Sequence, residues 1–139
     1  MNYPSETNAA GKEPLQTDQK VQVVVAEDDA SSRFILCRML GRLGCEVVRA
    51  LDGEHSVRMA RMFDAPIVFM DLNMPGTDGY EAVRIIRSEP ALAKLRVVAV
   101  TGDVSEKAVR SCAEAGFDAL LPKPVRIEDL EAELALARH

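Results

Sequence analysis

From Val21 onward the chain alternates short apolar runs with longer stretches of helical period. Val21-Gln22-Val23-Val24-Val25-Ala26 is dense in β-branched residues and suits a strand buried on both faces. Residues 30–43 then bring Leu36, Met39, Leu40 and Leu43 to one helical face, and Gly44 supplies the stop. The same alternation predicts strands at 46–50, 66–70, 96–101 and 117–121, and helices at 53–63, 79–88, 105–115 and 127–137.

Five such units joined by short connections imply parallel strands and right-handed crossovers, with helices on both faces of the sheet. The expected fold is α/β: a flavodoxin-like (βα)5 doubly wound sandwich with strand order 2-1-3-4-5, whose sites lie beyond the carboxyl ends of the strands. The stretch before it, residues 1–20, carries two prolines and little to bury, so it reads as a disordered tail or linker before a single domain over 21–139.

Composition removes several function classes. The formal charge of −5, with scattered Lys and Arg, leaves no basic footprint for direct nucleic-acid binding. No apolar run approaches the roughly 18 residues of a membrane span, and the amino terminus lacks a signal pattern, so a soluble cytoplasmic protein is expected. Cys37, Cys45 and Cys112 have neither disulfide parity nor metal-ligand spacing and read as small core residues of a reducing compartment. Met59, Met62, Met70 and Met74 read as core filler, and His55 as a solvated histidine on a helix surface.

The polar residues at the predicted strand ends change the picture. Strand one ends in Glu27-Asp28-Asp29, strand three in Asp71 and strand four in Thr101, while Lys123-Pro124 follows strand five. Asp29 is expected to cap the first helix. Glu27, Asp28 and Asp71 would repel one another unless a cation intervened, and an all-oxygen donor set of this kind suits Mg²⁺. Asp71, presented on a turn above a rigid sheet, is placed to act as a nucleophile toward phosphorus. Lys123 and Thr101 offer an ammonium and a hydroxyl to the oxygens of an acyl phosphate.

The segments VVVAEDD, VFMDLNMPGTDGYE, VVAVTGD and DALLPKP, in this order and at the ends of strands one, three, four and five, resemble the signature segments of two-component response-regulator receiver domains. The resemblance runs from about Val21 to Ala137. It implies Asp71 as phosphoacceptor, Asp28 and Asp71 as Mg²⁺ ligands with the main-chain carbonyl of Asn73, and Glu27 acting mainly through a metal-bound water. Mn²⁺ is expected to substitute. Thr101 becomes the switch hydroxyl, Lys123 its counter-charge, and Pro124 follows a cis peptide bond. Asn73 and Asp103 would border the path of water to the phosphoryl group and so set its lifetime.

One position departs from the family pattern: the aromatic that commonly rotates with the switch hydroxyl falls at Leu120. Output would then run through the loop after strand four, where Gly102 is expected to confer freedom, and through the fourth helix.

The implied phosphodonor is a histidine kinase or a histidine phosphotransfer protein, docking near the first helix at Ile35 and near the loop after Asp71. The downstream partner would be a protein, met at the face of helix four, strand five and helix five, with the chain monomeric or weakly dimeric through that face. Both a stand-alone regulator and a receiver from a hybrid kinase fit. A haloacid-dehalogenase-type phosphotransferase wants a second Asp two residues after the nucleophile, where this chain has Asn73. A histidine phosphotransfer protein would be a helical bundle. A pseudo-receiver that only binds would not need the full charged set present here.

Overall fold

The computed structural model describes residues 20–72, 74 and 79–137. The expected tail, apart from Lys20, and the expected Asn73 ligand therefore lie outside the described residues. The elements follow in strict alternation: β1 Val21–Ala26, α1 Ala30–Arg42, β2 Cys45–Ala50, α2 Gly53–Phe63, β3 Ile67–Asp71, α3 Gly79–Ser88, β4 Arg96–Thr101, α4 Glu106–Ala115, β5 Ala119–Pro122 and α5 Ile127–Ala137. The strands form one parallel sheet in the order β2-β1-β3-β4-β5.

The apolar runs behave as their composition demands. Val23–Ala26, all of β3 and Val97–Thr101 are buried, because these strands sit in the middle of the sheet with helices on both sides. One face packs Val24, Val68, Met70, Val97 and Ala99 under α2, α3 and α4. The other packs Val23, Val25, Ile67, Phe69 and Val98 under Leu36 and Leu40 of α1 and Leu130 and Leu134 of α5. Two packed faces on one rigid sheet leave its carboxyl edge as the place where side chains of four strands meet.

Several boundaries differ from the sequence expectation for identifiable reasons. Helix α1 stops at Arg42, because the Leu43 N–H bonds back to Met39 and Leu40 and Gly44 takes the left-handed φ of +87° that ends the turn. Ser105 lies outside α4 and caps it, accepting from the Ala108 N–H at 3.2 Å. A short 3₁₀ turn over Pro90–Leu92, absent from the sequence reading, follows α3.

The largest difference is at β5, expected at 117–121 and found at Ala119–Pro122. Phe117 is consumed by the end of α4: its N–H reaches the Cys112 carbonyl at 3.0 Å while Gly116 reaches Ala113 at 3.2 Å. Asp118 is also spoken for, since its carboxylate accepts from the Val97 N–H at 2.8 Å and from Arg87 at 2.6 Å. Arg87 continues into two carbonyls, of Gly116 and Leu95, each at 2.8 Å, and so ties α3, the α4 terminus and β4 together.

Gly116 has φ +117°, and a Cβ there would lie 2.8 Å from Cγ of Arg87. Gly116→Ala is expected to cost about 1–2 kcal/mol in urea unfolding, combining the left-handed backbone with displacement of Arg87. An unchanged midpoint would mean that Arg87 is not held as tightly as its three partners imply.

Two expectations about single residues are corrected. Met70 and Met74 are core residues and Met59 packs against the core, but Met62 is 70% exposed on the outer side of α2 and fills nothing. His55 is not merely solvated, because its Nδ1 accepts from the Leu51 N–H at 3.0 Å and so fastens the β2–α2 loop. Cys45 and Cys112 are buried, Cys37 is half-buried, and all three are free thiols. No described helix is long and apolar enough to cross a membrane.

Candidate phosphoryl and metal site

At the carboxyl edge of the sheet, β1 and β3 are hydrogen-bonded neighbours with Ala26 level with Met70, so the residues that follow each strand emerge side by side. Glu27 and Asp71 are both buried, at 1% and 6% exposure, whereas Asp28 is exposed. One oxygen from each of the three carboxylates lies within 4.8 Å of the others. The donor set is all oxygen, with no imidazole or thiolate, and this chemistry fits a hard divalent cation such as Mg²⁺ rather than zinc or copper.

Lys123 enters from the end of β5. Its ammonium sits 2.9 Å from Glu27 Oε1 and 3.7 Å from Asp71 Oδ2. Glu27 Oε1 is fully enclosed and makes no well-aligned hydrogen bond, so the ammonium holds it as an ion pair by charge rather than by direction. Glu27 Oε2 accepts from the Asp29 N–H at 3.2 Å.

The electrostatics follow from this crowding. Burial raises the Glu27 carboxyl above its ordinary value, and the hydrogen bond and charge of Asp71 push the same way; Lys123 and the Asp29 N–H oppose them without prevailing. For Lys123, burial alone would lower the ammonium, but the close pairing with Glu27 and the charge of Asp71 outweigh it, and the net shift is upward. The site thus has three carboxylates for one ammonium and favours added positive charge.

Thr101 ends β4 almost wholly buried, and its Oγ1 accepts from the Asp103 N–H at 3.1 Å. The Lys123 N–H donates to the Thr101 carbonyl at 2.9 Å, which holds the two strand ends together. Asp103 is exposed and forms a turn, its Oδ1 accepting from the Ser105 N–H at 3.1 Å, and that bond draws its carboxyl below the ordinary range. Gly102 has no left-handed φ, and a Cβ there would meet nothing within 4 Å. The Asp103 turn and the Thr101 hydroxyl also hold this loop.

The remaining expected residues also have places. The Lys123–Pro124 bond is cis. Leu120 is half-buried on β5 and packs against the core beneath α2, α3 and α4. Asp29 caps α1, accepting from the Ser32 N–H at 2.8 Å, and this bond lowers its carboxyl. Ile35 is 55% exposed and lines a groove of about 380 Å³ with Leu36, Met39, Pro124 and Val125, next to Glu27 and Lys123.

One supporting residue was missed from the sequence. Arg33 of α1 donates to the carbonyls of Glu27 at 3.0 Å and Asp28 at 3.3 Å, fixing the backbone that presents both carboxylates. Contacts to carbonyls leave no residue-type pattern by which they could be read in advance.

The sequence matches the response regulator receiver domain family over residues 23–135. Among curated proteins it is 35% identical over 113 residues to the peroxide stress-activated histidine kinase mak2 of Schizosaccharomyces pombe, covering 76% of this chain and 5% of the kinase. It is 32% identical over 120 residues to the sensor histidine kinase RcsC of Salmonella typhi, covering 86% of this chain and 12% of that protein. The chain thus spans a small fraction of the length of these relatives. Among solved structures, the receiver domain of the sensor histidine kinase PA1611 from Pseudomonas aeruginosa, which has a magnesium ion coordinated in its active-site cleft, matches with TM-score 0.78 and 27% identity, covering 85% of this chain and 97% of that one. The chemotaxis protein CheY4 of Vibrio cholerae shares the fold at TM-score 0.77 and 24% identity, covering 86% of this chain and 99% of that one.

Proposed function

Because the chain belongs to the response regulator receiver domain family, we propose that it accepts a phosphoryl group from a phosphohistidine onto Asp71 and thereby switches its contacts with a protein target. The observation that carries this reading is the gathering of three carboxylates and one ammonium at the carboxyl edge of a parallel sheet.

In the proposed reaction an Asp71 oxygen forms a bond to phosphorus as the phosphorus–nitrogen bond to the donor imidazole breaks, the electron pair leaving with that nitrogen. Asp28 and Asp71 would hold the metal with the Asn73 carbonyl, and Glu27 would act mainly through a metal-bound water. Bound there, Mg²⁺ supplies the positive charge that lets carboxylate and phosphoryl oxygens approach, and Mn²⁺ supplies the same. Lys123 takes the phosphoryl oxygen nearest β5, and the Thr101 hydroxyl turns from the Asp103 N–H toward another. Phosphotransfer from small phosphodonors and slow self-dephosphorylation follow from the same geometry, with Asn73 and Asp103 governing the lifetime.

The phosphodonor is a histidine kinase or histidine phosphotransfer protein, and the apolar groove at Ile35 beside Lys123 supports docking there. The target meets α4, β5 and α5, with the β4–α4 loop carrying the change in place of an aromatic at Leu120. Free thiols at all three cysteines agree with a cytoplasmic setting. A receiver unit over 21–139 belongs either to a stand-alone regulator or to a hybrid kinase; mak2 and RcsC are histidine kinases.

Intact-mass spectrometry after incubation with phosphoramidate and Mg²⁺ tests the reading. One phosphate is expected, lost in chelator and on hydroxylamine treatment, with borohydride reduction mapping it to Asp71. A folded, Mg²⁺-loaded protein that gains nothing would leave a binding module without phosphoacceptor chemistry.

A further inference from the structure

Between the end of β1 at Ala26 and the start of α1 at Ala30 the chain passes through Glu27, Asp28 and Asp29, where neither a strand ladder nor a helix fixes the backbone. One residue grips all three. The Arg33 main-chain N–H donates to the Asp29 carbonyl at 2.9 Å, and its Nη1 donates to the carbonyls of Glu27 at 3.0 Å and Asp28 at 3.3 Å. Arg58, Arg61, Arg87, Arg96 and Arg126 each pair with a carboxylate, whereas half-buried Arg33 pairs with none among the described residues.

The grip matters most for Asp28. Its side chain is exposed, and among the described residues its carboxylate accepts no hydrogen bond, so the direction in which it leaves the sheet is set by its backbone. Glu27 has other restraints, the Lys123 ammonium and the Asp29 N–H. Asp71 ends β3, a buried strand paired on both sides. Of the three carboxylates gathered within 4.8 Å, the one toward solvent therefore depends on Arg33 for its place.

Charge works in the opposite direction. Toward a divalent cation bound at the cluster the guanidinium is repulsive, and it also sits unfavourably near the positive end of α1, whose first turn holds no acidic residue. If Arg33 acted by charge alone, removing it would tighten metal binding. If it acts by holding the two carbonyls, removing it loosens the same binding. The two roles differ in sign.

We propose that Arg33 is the positioning residue of the carboxylate cluster: by holding the carbonyls of Glu27 and Asp28 it fixes the direction of the Asp28 carboxylate and so raises the affinity of the cluster for a divalent cation. This role rests on the proposed function only in that the cluster binds metal, and it does not require phosphate on Asp71. Arg33 opens onto the side of α1 that carries Phe34 and Cys37 and faces Val47 and Arg49, whereas the groove at Ile35 has a separate lining that the substitutions below leave intact.

Isothermal titration of the full chain with Mg²⁺ tests the role. Arg33→Met, with neither charge nor donor, is expected to raise the dissociation constant about tenfold, as the loss of a group that orients metal ligands does. The effect should persist at high ionic strength, where a charge effect is screened. Arg33→Lys keeps the charge on a shorter stem without the planar fork, and its affinity is expected to fall between those of the wild type and Arg33→Met. With phosphoramidate, the Mg²⁺ concentration for half-maximal phosphorylation should rise in Arg33→Met by the same factor while the rate at saturating Mg²⁺ holds. Binding that is unchanged or tighter in Arg33→Met overturns the role, as does a folded Arg33→Lys that binds like the wild type. A wild type that binds no Mg²⁺ overturns it together with the metal step of the proposed function. A wild type that binds Mg²⁺, with the expected order among the variants, yet gains no phosphate supports this role while removing the phosphoacceptor reading.

Discussion

Lys123→Met is expected to slow phosphoryl transfer to Asp71 from a small phosphodonor on the order of a hundredfold, whereas Asp71→Asn, lacking the acceptor, gains no phosphate at all. The slower rate follows from losing the one ammonium at the site, 3.7 Å from Asp71, in a place where a single charge-stabilising donor is worth on the order of 10²–10³ in rate. A small donor is the right substrate for this comparison, because it does not use the groove on α1. The same change acts on stability. It strips the cation from Glu27, which is 1% exposed and 2.9 Å from that ammonium, and an uncompensated buried carboxylate costs about 3 kcal/mol. In chelator the urea midpoint should fall accordingly, and Mg²⁺ should recover much of the loss by supplying charge to the same oxygens. A Lys123→Met protein that transfers at the wild-type rate would remove Lys123 from the chemistry and leave it a purely structural cation.

Much of this site was legible before any coordinates because a parallel sheet brings distant residues to a common edge by rule. Val21–Ala26 read as a strand buried on both faces and 66–70 as a strand, and the structure buries Val23–Ala26 and all of Ile67–Asp71. Once they are strands, Glu27, Asp28 and Asp71 must emerge together, with Thr101 and Lys123 beside them. What could not be read depended on backbone geometry. Phe117 and Asp118 have strand-like neighbours, yet the end of α4 and the Arg87 contact claim them first. A left-handed backbone is a property of φ rather than of residue type, and among the described glycines the structure places it at Gly44 and Gly116. Arg33 acts through main-chain carbonyls, which every residue possesses, so nothing in the amino-acid pattern marked it.

Glu27→Gln should have the opposite effect on stability from Lys123→Met, although both lie in one ion pair. Burial and the nearby Asp71 raise the Glu27 carboxyl above its ordinary value of 4.5, so the folded protein binds that proton more tightly than the unfolded chain does. Under linkage such a group favours folding at low pH, and its contribution is lost as pH rises from the ordinary value through the raised one. Asp29 has the reverse sign: its lowered carboxyl stabilises the fold above its ordinary 3.8 and loses that effect as pH falls. The Glu27 contribution is therefore read by difference. In chelator, Glu27→Gln and the wild type should unfold alike near pH 4, and the variant should rise above the wild type in Tm as pH approaches neutrality. Lys123 keeps Asp71 as a partner in that variant, which is why removing Glu27's charge does not strand the ammonium. With Mg²⁺ present the comparison inverts, since the wild type gains a ligand charge that the amide lacks, and metal affinity and phosphorylation rate should both fall in Glu27→Gln. A variant less stable than the wild type in chelator at neutral pH would show that the Lys123 pair outweighs the desolvation of Glu27. The double variant Glu27→Gln with Lys123→Met then apportions the two, because it should regain most of what Lys123→Met alone loses.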